Sequence, residues 1–290
     1  MSEYVFEWLQ SDWARWVAGA AGSGAVAGLA YRLRSLSGSG AWSALAMGTA
    51  YVGLGGPLWY GVLLAFFVSS SLWSKWKRRH RSKSSAERNY AKTGRRDAVQ
   101  VWANGGAGLL LCAAYSVWPQ PAIVFAFVGV IASVNADTWA TEIGALSRRA
   151  PVSVTTWRPV TAGTSGGVTP LGSAAALAGA AFIGAAAALL AGAPLAYGAA
   201  ALAAAPAPWA LLAAAAAAGL AGAFADSLLG ATAQAMYRCG VCGSDTERAE
   251  HCGAAAERVR GLAWMTNDAV NLLSSLLGGL AAVLIGLLLT

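Results

Sequence analysis

The chain has 290 residues, 57% hydrophobic and 11% charged, with a formal net charge of +7 and a mean hydropathy of +0.53. That balance excludes an ordinary soluble globular domain and reads as an integral membrane protein. The excess of Lys and Arg lies in short segments between apolar runs, which reads as an orientation signal and excludes a nucleic-acid surface.

Lipid offers the backbone no hydrogen-bond partners, so apolar runs must be helices or barrel strands, and runs without polar alternation exclude the barrel. The first run follows Glu3, Glu7 and Asp12 with no basic leader, and reads as a retained helix. Candidate spans lie at about 13–32, 40–55, 57–74, 98–117, 121–138, 170–192, 206–236 and 265–289. The expectation is an all-α polytopic transmembrane bundle of about eight spans (bounds about 7–9), one domain over residues 1–290. The second and third spans are short and split by GLGGP, consistent with a tight hairpin. An alanine-rich stretch over 173–218, broken at Pro194, Pro206 and Pro208, leaves a further helix open.

Nineteen of the 20 Lys and Arg residues fall in or beside four connections: Arg32 to Arg34, Lys75 to Arg96, Arg148 to Arg158 and Arg238 to Arg260. With eight spans these lie on one side, which the positive-inside rule makes cytoplasmic, with both termini outside a cell or plasma membrane. The connections are then a basic loop at 75–97, a polar loop at 139–169 and a cysteine-bearing loop at 237–264. Trp8, Trp13, Trp16, Trp59, Trp73 and Trp118 fall near span ends, where aromatic belts belong. The run from Lys75 to Lys83 suits anionic headgroups. The following TGRRDAVQVWANGG enters a helix that carries Gln100 and Asn104 on one face.

Ionisable side chains within membrane helices cost a few kcal/mol each and require a partner, a cavity or a function. Here they gather in one half of the bilayer: Asp137 in SVNADTWATEIG, Asp226 in AFADSLLGATAQAMY and Asp268 in WMTNDAVNLLSS. Four-residue steps place Asp137 with Thr141, Asp226 with Gly230 and Gln234, and Asn267 with Asn271 on single helix faces. Amides such as Asn104, Gln234 and Asn271 also serve as interhelical glue without chemistry. Three carboxylates, by contrast, repel unless a cation or arginine lies among them. Oxygen ligands suit Mg²⁺ better than zinc. Arg95, Arg96, Arg148, Arg149 and Arg158 lie close by in sequence, and GTSGG offers backbone N–H groups at a helix start. The set reads as a metal–phosphate site at headgroup level, on the cytoplasmic side.

The segment RCGVCGSDTERAEHCG spaces Cys239-x2-Cys242, His251 and Cys252 as a candidate structural Zn²⁺ site, in which adjacent His251 and Cys252 must splay. Reduced thiols without metal are the other reading.

The motifs GRRDAVQVWANGG, ADTWATEIGALS, GTSGGV, DSLLGATAQ and NDAVNLLSS, in this order over residues 94 to 275, resemble the integral-membrane family that contains the plant phytyl phosphate kinases. A fold-level likeness extends to CTP-dependent membrane kinases and phosphatidate cytidylyltransferases, in which an Asp, a basic stretch and a glycine-rich element follow one another as Asp137, Arg148, Arg158 and GTSGG do here. The resemblance implies a membrane-bound, CTP-dependent phosphotransferase that converts a prenyl monophosphate such as phytyl phosphate to the diphosphate with Mg²⁺. Asp137, Asp226 and Asp268 are then the metal candidates, with Glu142 as a fourth. Arg95, Arg96, Arg148 and Arg158 are assigned to phosphates, Gly163, Thr164, Ser165, Gly166 and Gly167 to a backbone cradle, and Asn104, Gln234, Asn267 and Asn271 to orientation of phosphate or ribose. The expected partners are prenyl monophosphate, nucleoside triphosphate and membrane lipids. Cytidylyl transfer to a lipid phosphate and non-enzymatic transport of a phosphorylated molecule are the alternatives.

Overall fold

Helix starts in this chain are written as caps, and the caps sort by membrane face. Ser37 Oγ accepts from the Gly40 N–H (3.1 Å), Thr169 Oγ1 from Gly172 (3.0 Å) and Thr266 Oγ1 from Ala269 (3.4 Å). Asp97 and Gln100 form a reciprocal capping box at 2.9 and 3.3 Å. These four starts lie at the end of the bundle that carries the polar residues. At the opposite end Pro57, Pro121 and Pro208 open helices without a side-chain cap, and Pro170 follows the Thr169 cap at the polar end; a missing N–H in the first turn costs the helix nothing.

The computed structural model describes residues 12–80, 95–193, 196 and 205–290. Among them are eight helices: α1 Asp12–Arg32, α2 Gly38–Leu54, α3 Pro57–His80, α4 Ala98–Val117, α5 Pro121–Gly144, α6 Pro170–Ala191, α7 Pro208–Thr232 and α8 Asn267–Leu289. Five of them, α3 (over Pro57–Trp76), α5, α6, α7 and α8, are long and apolar enough to cross a membrane. Each helix overlaps one expected span. The sequence left open a further helix in the alanine-rich stretch and assigned a basic loop to 75–97. Residues 194, 195, 197–204 and 81–94 of those two segments lie outside the described residues, as does Trp8.

The helix α5 is the axis of the bundle and packs against α3, α4, α6, α7 and α8. Its Val124–Ala136 portion is almost wholly buried. Small residues let its neighbours approach. Ser133 stands against Gly222 of α7 and Gly278 of α8, and Gly129 against Ala282, leaving no room for a Cβ at these glycines. In lipid such close backbone packing replaces the hydrophobic driving force between helices. An aromatic cluster closes the far half of the core: Trp59 lies 4.5 Å from Phe127 and 5.0 Å from Tyr115 between ring centroids. Trp59 is fully buried, so it is a core residue and not part of an interfacial belt, unlike the exposed Trp13 and Trp118.

Two further departures bear on function. The helix α5 continues to Gly144, about two turns beyond the expected end near 138, so Asp137 sits within the helix and does not leave it. The connections also contain short strands. Between α5 and α6, β1 (Val152–Ser153) pairs with β2 (Gly167–Val168). Between α7 and α8, β3 (Met236–Arg238) lies between β4 (Asp245–Thr246) and β7 (Glu257–Arg260), and β5 (Glu250–His251) pairs with β6 (Ala254–Ala255).

Candidate functional site

At the capped end of the bundle, α3 to α8 and their connections enclose a polar cavity of about 650 Å³. Asp137 from α5 and Asp226 from α7 both line it, close enough to feel each other's charge. Asp226 Oδ2 accepts from Ser274 Oγ of α8 at 3.0 Å. With the Asn271 amide turned so that its nitrogen faces Asp226, it donates to the same oxygen at 3.0 Å and to the Asn267 carbonyl at 3.3 Å. The carboxylate is thus gripped from one helix by two groups three residues apart.

The α4 start supplies Arg96, Gln100 and Asn104. Arg96 is fixed by the α1–α2 turn: its N–H donates to the Ser35 carbonyl (3.0 Å) and its carbonyl accepts from Ser37 (2.9 Å). Its guanidinium donates to Ser71 Oγ (3.0 Å) and lies 5.7 Å from the ring centroids of Phe66 and Phe67. Asn104 Oδ1 is buried with no hydrogen-bond partner among the described residues, and so is Gln234 Nε2. Both residues line the cavity, and orphaned polar atoms in such a place are the signature of a missing ligand or water.

The glycine-rich turn also lines the cavity, with residues 163 to 167 all contributing. Gly166 has φ +82°, and a Cβ there would lie 2.5 Å from Ala231 Cβ, so both conformation and space demand glycine. Ser165 Oγ donates to Gln234 Oε1 at 2.6 Å, tying the turn to the end of α7. Arg148 and Arg149 reach the cavity from the α5–β1 connection. Glu142 also lines it and accepts from Ser74 Oγ at 2.6 Å.

Not every expected residue converges. Asp268 does not line the cavity, because it lies one residue, about 100° of helix, from Asn267, whereas Asn271 is a full turn on and shares the Asn267 face. Arg95 is exposed beside the inward Arg96, and Arg158 is exposed on the β1 turn, where its carbonyl accepts from Ser153 (2.9 Å). Conversely, Glu247, from the connection after β4, lines the cavity in Coulombic reach of both Asp137 and Asp226. Nothing in its local sequence, DTERAE, separates it from a solvated loop acid; only the strand pairing of the connection brings it here. Ser74 is equally silent, whereas the sequence places Gln100 on the Asn104 helix face without assigning it to the site.

A family profile described as integral membrane protein DUF92 matches residues 21–279. A curated relative, Protein PGR of Arabidopsis thaliana, is 32% identical over 270 residues, covering 88% of this chain and 90% of the relative. No solved structure matches the chain. Profile and relative both span nearly all of the bundle, and the chain accordingly belongs to the DUF92 family of integral membrane proteins.

Proposed function

We propose that the cavity transfers a phosphoryl group from a nucleoside triphosphate, CTP by the family resemblance, to a prenyl monophosphate. The observation that carries this reading is that Asp137 and Asp226 line one polar cavity together with Arg148, Arg149 and the glycine-rich turn of residues 163 to 167. Acids to hold the metal and phosphate-binding groups within one cavity are what a metal–triphosphate complex demands. An apolar cleft of about 70 Å³, lined by Val26, Ala27, Leu63, Phe66 and Phe67 among others, shares Arg96, Gln100 and Asn104 with the polar cavity. That continuity supports a substrate with a charged head and an apolar tail.

The donor set fits Mg²⁺: Asp137, Asp226 and the unpartnered Asn104 Oδ1 are oxygens, and no His or Cys lines the cavity among the described residues. Bound there, Mg²⁺ would offset triphosphate charge. In the reaction an oxygen of the prenyl phosphate forms a bond to the γ-phosphorus as the bond to the β–γ bridging oxygen breaks, and the nucleoside diphosphate leaves. Arg96, braced against α3 and the α1–α2 turn, holds the acceptor phosphate at the junction of the two cavities. Arg148 and Arg149 meet the donor phosphates, and the N–H groups of the glycine-rich turn neutralise equatorial oxygens. Gln234 Nε2 and Asn267 are placed to orient phosphate or ribose. Such catalysis works by positioning and charge and needs no covalent intermediate on the protein.

The test is incubation of purified protein in detergent with phytyl monophosphate, CTP and Mg²⁺. Prenyl diphosphate and CDP in equal amounts are expected. Release of pyrophosphate with a CDP-lipid would replace the reading by cytidylyl transfer, and substrate flux into proteoliposomes without nucleotide consumption would replace it by transport.

A further inference from the structure

Outside the cavity, the connection between α7 and α8 draws together Cys239, Cys242, His251 and Cys252, whose ligand atoms all lie within 4.8 Å of one another. Two backbone devices bring them there. Cys239 follows β3 and opens a knuckle in which the Gly243 N–H donates to the Cys239 carbonyl (2.9 Å) and the Cys239 N–H to the Ser244 carbonyl (3.0 Å). Gly243 adopts φ +70° to close it. The β5–β6 hairpin then turns at Cys252 and Gly253, with φ +55° and +76°, the successive left-handed pair of a type I′ turn. A non-glycine residue rarely takes that conformation. Here it swings the Cys252 side chain back beside that of its neighbour, and so solves the problem of two adjacent ligands for one ion. His251 Nδ1 lies 3.3 Å from Cys252 Sγ and 3.4 Å from Cys242 Sγ. With Zn–S of about 2.3 Å and Zn–N of about 2.0 Å, a tetrahedral site has S···N edges of roughly 3.5 Å.

The same segment has a mechanical need for a staple. Its five strands have two to four residues each, too short to hold a sheet by pairing alone. It is nonetheless docked on the bundle. Arg260 donates to the carbonyls of Ala231 and Gly230 at the end of α7, and Leu262 N–H donates to the Ala233 carbonyl (3.0 Å). Buried Thr246 accepts from the Arg248 N–H at 3.2 Å and so bridges Glu247, which lines the cavity.

We propose that Cys239, Cys242, His251 and Cys252 bind one Zn²⁺ through three thiolates and His251 Nδ1, and that this ion makes residues 236–260 a rigid cap presenting Glu247 to the cavity. Binding displaces three thiol protons, and no redox step is involved. The site stands whatever reaction the cavity performs.

The test is metal content of untagged protein purified in detergent, measured by mass spectrometry with Zn²⁺ supplied during expression. One zinc per chain is expected, lost in the Cys239→Ser/Cys242→Ser variant. Exchange for Co²⁺ should give the intense visible bands and thiolate charge-transfer absorption of a tetrahedral sulfur-rich site. Should the double variant fail to accumulate, wild-type protein stripped with a high-affinity chelator is followed by hydrogen exchange, and faster exchange over 236–260 with α5 unchanged is expected. Zinc below one-tenth per chain, a weak octahedral cobalt spectrum, or a Cys242–Cys252 disulfide in the purified protein overturns the site. Unchanged exchange after stripping overturns the cap.

Discussion

Asp226→Asn is the sharpest probe of the cavity, because it removes a charge and almost nothing else. The side chain keeps its shape, and Ser274 at 3.0 Å can still donate to the remaining oxygen. The Asn271 amide loses its acceptor only if the new nitrogen faces it, which a flip of either amide relieves. A hydrogen bond to a charged group is worth about 1.5–3 kcal/mol and a neutral one about 0.5–1.5, so two weakened bonds cost about 2 kcal/mol. Against this stands relief of repulsion from Asp137 and Glu247, both in Coulombic reach. In metal-free protein the two terms nearly cancel, and thermal stability in detergent should change by only a few degrees. Turnover behaves otherwise. Loss of one charged group aimed at a phosphoryl-transfer transition state costs about 3–4 kcal/mol, or a factor of 10² to 10³ in kcat/KM. The assay is CDP release with phytyl monophosphate and CTP at saturating Mg²⁺, beside a melting curve from tryptophan fluorescence. Turnover within threefold of wild type, in a variant that melts normally, refutes the role of Asp226 as a metal ligand.

Other outcomes follow from the same geometry. Asn104→Ala removes an oxygen that has no hydrogen-bond partner among the described residues; the melting temperature should hold or rise while kcat/KM falls about 10- to 100-fold, read by the same two measurements. Gly166→Ala meets both a left-handed backbone and Ala231, and is expected to cost about 1–3 kcal/mol in a denaturation series. Trp59→Ala empties a fully buried aromatic cluster and should cost about 3–5 kcal/mol, whereas Trp118→Ala, exposed at a helix end, should cost under about 1 kcal/mol.

The helices were legible because their signal is local. Unbroken apolar runs, six proline or hydroxyl starts and basic connections state where a membrane chain turns. Convergence of Asp137, Asp226, Asn104 and Asn267 was also readable, since each lies near the same end of its helix. What failed to read was rotation and reach. Asp268 looks as good as Asn267 on paper, and only the azimuth of α8 separates them. Arg95 and Arg96 differ in nothing but the direction in which the α1–α2 turn holds the backbone. Trp59 sits at a helix start, where a belt residue belongs, but aromatic partners on α4 and α5 claim it. Glu247 depends on strands of two to four residues, too short to leave a period in the sequence.

The place where Ser133 meets Gly222 and Gly278 has a dynamic meaning. Three helix backbones converge on one hydroxyl there, with no side-chain cushion to deform, so α5, α7 and α8 cannot slide past one another without opening a void in lipid. The two acids and their gripping amide therefore ride on a stiff tripod, which on the proposed function should keep its geometry when substrate binds. On that reading, entry and exit fall to the parts outside it: the connection over 145–169, the proposed cap over 236–260, and the outer α1–α2 pair that holds Arg96. In an exchange experiment the tripod should remain the slowest region of the molecule, and substrate should quiet only what surrounds it.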